Sequence, residues 1–148
     1  MNLSDILDPD RVAVGVQASS KKRVLEELAR RLTTGVPGLA SADVLASLAT
    51  REKLGSTGLG HGIAIPHGRV SGIERSIGAC LRLAFPIDYD AHDSEPVDVV
   101  FGLLVPQNAT GEHLRHLAAI AERFADDGFC AEARAAAGDA ALYALLTR

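Results

Sequence analysis

The sequence predicts an α/β protein in which a mixed β-sheet is flanked by helices on both faces, and three observations carry that prediction. Stretches with the apolar spacing of amphipathic helices alternate along the chain with short apolar runs of strand length. One of those runs, residues 97–105, is so continuously apolar that burial on both faces is expected. No repeat or low-complexity segment intervenes, and 148 residues that are 47% hydrophobic and 23% charged describe one ordinary globular domain, residues 1–148. A domain of that size buries roughly 68–70% of its unfolded surface.

Residues 11–16 read as the first strand, and Ser19 and Ser20 are N-cap candidates for a helix whose Val24, Leu25, Leu28, Ala29 and Leu32 share one face. That face is expected to pack on the sheet, with Lys21, Lys22 and Arg23 forming a solvated first turn. Gly35, Pro37 and Gly38 break the chain. Ser41 then caps a second helix carrying Val44, Leu45 and Leu48, which ends at Arg51, Glu52 and Lys53 before Gly55. Residues 63–65, 77–84 and 97–105 read as strands, the last two joined by a polar connection over 88–94. Thr110 caps a long helix through Phe124, Gly128 interrupts, and a short helix through Arg134 and a terminal one over 140–146 complete the chain.

The most informative segment lies between the second helix and the second strand: Arg51 to Arg69 reads REKLGSTGLGHGIAIPHGR. Gly58, Gly60 and Gly62 permit positive φ and close approach to a ligand, Ser56 and Thr57 supply hydroxyls, and Arg51 supplies a fixed positive charge. Those are groups that suit phosphoryl oxygens. Pro66 biases Ile65 towards extended geometry and Gly68 removes a neighbouring side chain. An imidazole at His67 is therefore expected at a strand end, with little cover and within reach of a partner protein. The rim around it is expected to be apolar, formed by Leu59, Ile63, Ala64 and Ile65. In the long helix, spacing puts His113 on the side of Leu117, Ile120, Ala121 and Phe124, while His116 falls about 60° away towards Glu112 and Arg123. Spacing alone leaves His113 open as either a core residue or a site residue.

These residues carry a resemblance. Residues 55–68 match, without a gap, the pattern G-S-T-G-[IL]-G-x-G-[IV]-A-[IV]-P-H-G of the fructose/mannitol-type (type-2) IIA components of the bacterial phosphoenolpyruvate-dependent phosphotransferase system. The segments SSKKRVLEELARRL, DVVFGLLVP and GEHLRHLAAIAERF also resemble, in order, parts of the nitrogen-regulatory branch of that family, so the likeness spans nearly the whole chain. His61 departs from it, standing where relatives often carry Asn. The resemblance implies the mannitol-type IIA fold and a phosphohistidine intermediate on Nε2 of His67. It also implies that His113 is the second histidine of the site, that Arg51 and His113 offset phosphate charge, and that Ser56, Thr57, Gly58, Gly60 and His61 form the phosphate-binding loop. The implied donor is a phosphorylated histidine carrier protein of the nitrogen-branch type. The implied targets are regulatory proteins such as potassium transporters or sensor kinases.

Other function classes fit less well. A net charge of −4 and a pI near 5.7 argue against a tracker of nucleic-acid phosphates. Cys80 and Cys130 lack CxxC spacing, which suggests neither a disulfide framework nor a zinc site and fits a reducing cytoplasm. No signal peptide is apparent, and no apolar run approaches the roughly 18 residues needed to cross a bilayer, so no membrane insertion is expected. The loop lacks the Gly-Lys-Ser/Thr of a nucleotide site, the five histidines form no HExxH pair, Asp88, Asp90, Asp93 and Glu95 miss calcium-loop spacing, and Ser56 lacks the GxSxG elbow. No metal or cofactor is expected. Signalling by phosphorylation state is favoured over sugar uptake, because no membrane segment, IIB-like cysteine motif or fused carrier domain accompanies the loop. A pure interaction module, indifferent to phosphorylation, would have no use for His67.

Overall fold

The computed structural model describes residues 2–148. Six strands, β1 (Val12–Val16), β2 (Gly58–Gly60), β3 (Ile63–Ala64), β4 (His67–Val70), β5 (Ile77–Ile87) and β6 (Val97–Pro106), form one sheet in the spatial order β1-β5-β6-β3-β2, with β4 also paired to β6. The sheet is mixed: β5 runs antiparallel to β6, β3 and β4 run parallel to it, β1 is parallel to β5, and β2 is antiparallel to β3. Five α-helices cover it, α1 (Lys21–Leu32), α2 (Ser41–Lys53), α3 (Gly111–Phe124), α4 (Asp127–Ala135) and α5 (Asp139–Leu146).

Alternation along β6 explains why its sequence is apolar from Val99 onward, after the half-buried Asp98. Val99, Phe101, Leu103 and Val105 face a core shared with Ile120, Phe124, Phe129 and Leu142 of α3, α4 and α5. Val100 and Leu104 face the opposite core, with Val24, Leu28 and Leu32 of α1 and Val44 and Leu48 of α2. Gly102 lies between them on the α1 side, where a Cβ would come within 2.6–2.8 Å of the Leu28 side chain. Leu28 therefore rests directly on the strand backbone, which draws α1 close to the sheet.

Several local expectations change. Ser20 caps α1 by accepting from the Arg23 amide at 3.2 Å, as the sequence suggests. Lys22 and Arg23 are exposed as expected, but Lys21 is only partly solvated; its ammonium pairs with the buried Glu52 at 2.7 Å and lies over the Tyr89 ring. Ser41 is the first residue of α2, preceded by Ala40 with no side-chain cap. Gly128 lies inside α4; the break falls at Ala125–Asp126, where Asp126 accepts from the Gly128 and Phe129 amides. The 88–96 connection is less polar than it reads, since Tyr89 and Ala91 are buried. Among the described residues no helix is long and apolar enough to cross a membrane.

The pairing of β3 and β4 with β6 positions the central histidine. Both strands lie on the same edge of β6, Ile63 and Ala64 opposite Val99 and Val100, and His67 opposite Leu103. Ile65 and Pro66 interrupt the ladder between them. Pro66 has no N–H to donate, and its carbonyl accepts from the Leu103 amide at 3.0 Å. The two short strands are thus one edge with a proline break, and His67 opens β4 towards the carboxyl end of β6.

Candidate functional site

His67 is held by that break. Its Nδ1 lies 2.9 Å from the Ile65 carbonyl oxygen, a group the β6 ladder leaves free. A carbonyl only accepts, so Nδ1 carries the proton and Nε2 presents its lone pair. Burial lowers the imidazole pKa from its ordinary value; the Ile65 bond opposes that shift and the Arg51 charge adds to it. The ring is therefore neutral at pH 7, with a nucleophilic nitrogen available. The side chain is half-buried, and it begins a strand instead of ending one.

A pocket of about 400 Å³ opens at this ring, lined by His67, Arg51, Ser56, Thr57, Gly58 and Leu59 on one side and by Leu114, Leu117, Ala118 and Ala121 of α3 on the other. Arg51 comes from the last turn of α2 and donates from Nη1 to the Gly55 carbonyl at 2.9 Å; among the described residues it pairs with no carboxylate. The Ser56 oxygen accepts from the Gly58 amide at 3.1 Å, which leaves the hydroxyl proton free to donate. His113 stands in the first turn of α3, next to Leu114 of the lining, and accepts at Nδ1 from the Thr110 amide at 3.3 Å. Its neutral form thus carries the proton on Nε2. The two histidines hold opposite tautomers, one suited to accept a bond and the other to donate a hydrogen bond.

Other residues grouped by sequence are placed differently. Thr57 lines the pocket, but its hydroxyl and amide both donate to the Glu52 carboxylate. Gly58 also lines it, yet the absent side chain makes room for the 88–96 loop, because a Cβ would stand 2.8 Å from that of Ala91. Gly60, at φ +91°, approaches Asp93 and lies outside the pocket lining. His61 is exposed in a separate cleft with Asp93, Asp98 and Arg134, its amide donating to Asp93 at 2.9 Å and its carbonyl accepting from Arg134 at 2.6 Å. Gly68 does not uncover the imidazole. It admits α2, since a Cβ there would collide with Ser47, whose hydroxyl donates to the Arg69 carbonyl.

The apolar rim is also corrected. Ile63 and Ala64 are buried in the sheet, because helices cover both of its faces, whereas Ile65, also buried, still lines the pocket. The exposed apolar side chains on the segments that form the pocket are Leu54 (82%), Leu59 (45%) and Leu114 (43%).

Sequence reasoning overlooked Glu52 and Tyr89. Glu52 is buried at the end of α2, bonded to Thr57, to the Tyr89 hydroxyl at 2.9 Å and to Lys21. Burial pushes the Tyr89 phenol pKa far up, so Tyr89 stays a neutral donor to that anion. One signal was present. A carboxylate in the last turn of a helix opposes the helix dipole, which favours cations there, so an acidic residue between Arg51 and Lys53 calls for partners from elsewhere.

Known proteins resemble this chain along its length. The family described as phosphoenolpyruvate-dependent sugar phosphotransferase system, EIIA 2, matches residues 5–148. A nitrogen regulatory protein of Pseudomonas aeruginosa is 48% identical over 126 residues, covering 83% of this chain and 82% of that one. The crystal structure of the nitrogen regulatory protein IIA-Ntr from Neisseria meningitidis superposes with a TM-score of 0.90 at 40% identity, covering 98% and 99% of the two chains. The crystal structure of IIA mannitol from Escherichia coli shares the fold at a TM-score of 0.77 and 20% identity, covering 95% of this chain and 98% of that one.

Proposed function

The chain belongs to the EIIA 2 family of the phosphoenolpyruvate-dependent sugar phosphotransferase system, and from that membership we propose that it is a phosphohistidine carrier that accepts its phosphoryl group on Nε2 of His67. The donor is a phosphorylated histidine carrier protein of the nitrogen-branch type, and the output is regulatory. The observation that carries the reading is the hydrogen bond from His67 Nδ1 to the Ile65 carbonyl, which holds the proton on one nitrogen and leaves the other as the nucleophile.

The chemistry asks for position and charge more than for bond activation. In the transfer, the bond from phosphorus to the donor imidazole breaks as the bond to His67 Nε2 forms, and Nδ1 keeps its proton, directed at the Ile65 carbonyl. The loose transition state spreads negative charge over the three peripheral oxygens. Arg51, with no competing carboxylate among the described residues, offsets that charge. The Ser56 hydroxyl and the Nε2–H of His113 donate hydrogen bonds to the same oxygens. Thr57 and Gly58 shape the pocket. His61 and Gly60 take no part in this reading, being bonded into the neighbouring cleft or packed against Asp93.

The similarity to proteins named nitrogen regulatory protein supports a signalling output. The test is to incubate the purified protein with phosphoenolpyruvate, the first enzyme of the relay and each candidate histidine carrier, then to locate the phosphate by mass spectrometry under alkaline conditions. Phosphate on His67, and none on His67→Ala, is the expected result. Persistent labelling of that variant on another histidine would sink the assignment.

A further inference from the structure

Beneath the pocket lies a carboxylate that the transfer itself does not use. Glu52 is 9% exposed, and the groups that converge on its two oxygens are all donors. They are the Thr57 amide at 3.2 and 3.3 Å, the Thr57 hydroxyl, the Tyr89 hydroxyl at 2.9 Å and the Lys21 ammonium at 2.7 Å. They come from α1, from the loop after α2 and from the 88–96 loop. A carboxylate is the one side chain that offers acceptors on both oxygens to so many donors. In its place an amide would turn an NH2 group against donors, leaving buried groups unpaired.

The network does not stop at Thr57. The Thr57 carbonyl accepts from the Ile65 amide at 3.0 Å, and the Ile65 carbonyl in turn receives the His67 Nδ1–H at 2.9 Å. Three successive links therefore join the buried carboxylate to the imidazole. Thr57 is pinned at both its amide and its hydroxyl, so its carbonyl has a fixed direction. That carbonyl holds Ile65, at the proline break, where no β6 ladder bond restrains it.

We infer that Glu52 is a positioning residue for His67, acting through Thr57 and Ile65 to hold the Nδ1–H tautomer and the ring orientation that leave Nε2 free. Lys21 and Tyr89 serve the same purpose one step further out, Lys21 as the counter-charge and Tyr89 as a neutral donor. The consequence for rate rests on the phosphocarrier reading, but the tautomer can be read without any transfer. A carboxylate that merely stabilised the loop would change the melting temperature and leave the ring nitrogens as they are.

The experiment records long-range 1H–15N correlations of the His67 ring in the 15N-labelled full chain at about pH 8, above the ordinary histidine range. The proteins are wild type, Glu52→Gln and Lys21→Met, each with a backbone spectrum to verify folding. Wild type is expected to show a protonated Nδ1 and a bare Nε2. Glu52→Gln is expected to show a mixture of tautomers and at least about a tenfold slower phosphorylation, since a misplaced imidazole proton alone has cost far more in a hydrolase triad. Lys21→Met is expected to move both readouts in the same direction by less. A folded Glu52→Gln variant with the wild-type tautomer overturns the inference. If that variant does not fold, Lys21→Met decides, and an unchanged ring with an unchanged rate overturns it. Failure of the wild-type protein to take phosphate from any carrier would defeat the phosphocarrier reading, while the ring signals would still decide the role of Glu52.

Discussion

At the level of single residues, the proposed site draws on two histidines whose backbone bonds fix opposite tautomers. His67 donates from Nδ1 and His113 accepts at Nδ1, so one leaves a lone pair at Nε2 and the other a proton. Removing Arg51 or His113 as alanine variants should leave labelling on His67 but slow it by on the order of 10²–10³, the usual cost of one charge-stabilising donor. Rapid-quench transfer at subsaturating donor checks this, and wild-type rates in both variants would remove them from the site. The depressed pKa of His67 also sets a pH dependence. Because burial keeps the ring neutral to lower pH than the ordinary value near 6.5, the transfer rate should hold level down to that value and fall only below it. The same shift links protonation to stability. Between the folded and unfolded pKa values the unfolded chain binds the proton and the native chain does not. This contribution is therefore complete above about pH 6.5 and is lost as pH falls through the folded pKa. Titration of the His67 ring signals by NMR measures the midpoint; one at or above about 6.5 would contradict it.

Among the secondary-structure elements, two glycines set how close the α1–α2 layer comes to the sheet. Gly102 accommodates Leu28 of α1, and Gly68 accommodates Ser47 of α2. Gly102→Ala should overpack that core and destabilise the protein by about 1–3 kcal/mol, with a smaller effect on transfer per folded molecule than a shift of α2, since α1 brings only Lys21, the outer partner of Glu52. Gly68→Ala should do more than destabilise, because α2 also carries Arg51 and Glu52 to the pocket. Displacing that helix is expected to slow phosphorylation of the folded fraction as well. Denaturant melts combined with single-turnover transfer separate the two effects. Equal transfer rates in Gly68→Ala and Gly102→Ala would show that the seating of α2 does not govern the site. The turn between β3 and β4 works at the same level, since Ile65 faces away from β6, its amide bonded to Thr57 and its carbonyl to the imidazole of His67.

For the molecule as a whole, the proposed phosphorylation would place about two negative charges at a pocket lined by the exposed Leu59 and Leu114, with the exposed Leu54 on the segment leading into it. Such a surface can be buried against a partner when His67 is neutral, whereas a buried phosphate carries a large desolvation cost. Regulatory targets that dock there should therefore prefer the unphosphorylated protein. His67→Ala should bind them constitutively, and His67→Asp should weaken binding less than the phosphate does. Affinity measurements of both variants and of the phosphorylated form against captured targets test the idea. Equal binding by all forms would move a sugar-uptake role ahead of a signalling one.

Much of this protein was legible in its sequence because the relevant patterns are local. The apolar spacing of residues 24–32 and 113–124 produced α1 and α3, the run at 97–105, apolar but for Asp98, produced a central strand covered on both faces, and Pro66-His67-Gly68 marked the proposed acceptor. These depend on residue type and period within a single element. The tertiary structure alone decided which loop groups reach the pocket. Thr57 turns to Glu52, His61 is bonded to Arg134, which lies 73 residues away, and Tyr89 bonds to Glu52 across 37. The physical reason is that a hydrogen bond between distant segments leaves no periodic trace in either of them. Burial removes water as the alternative partner, so a polar group in the interior must satisfy itself with whichever donor or acceptor the fold brings to it.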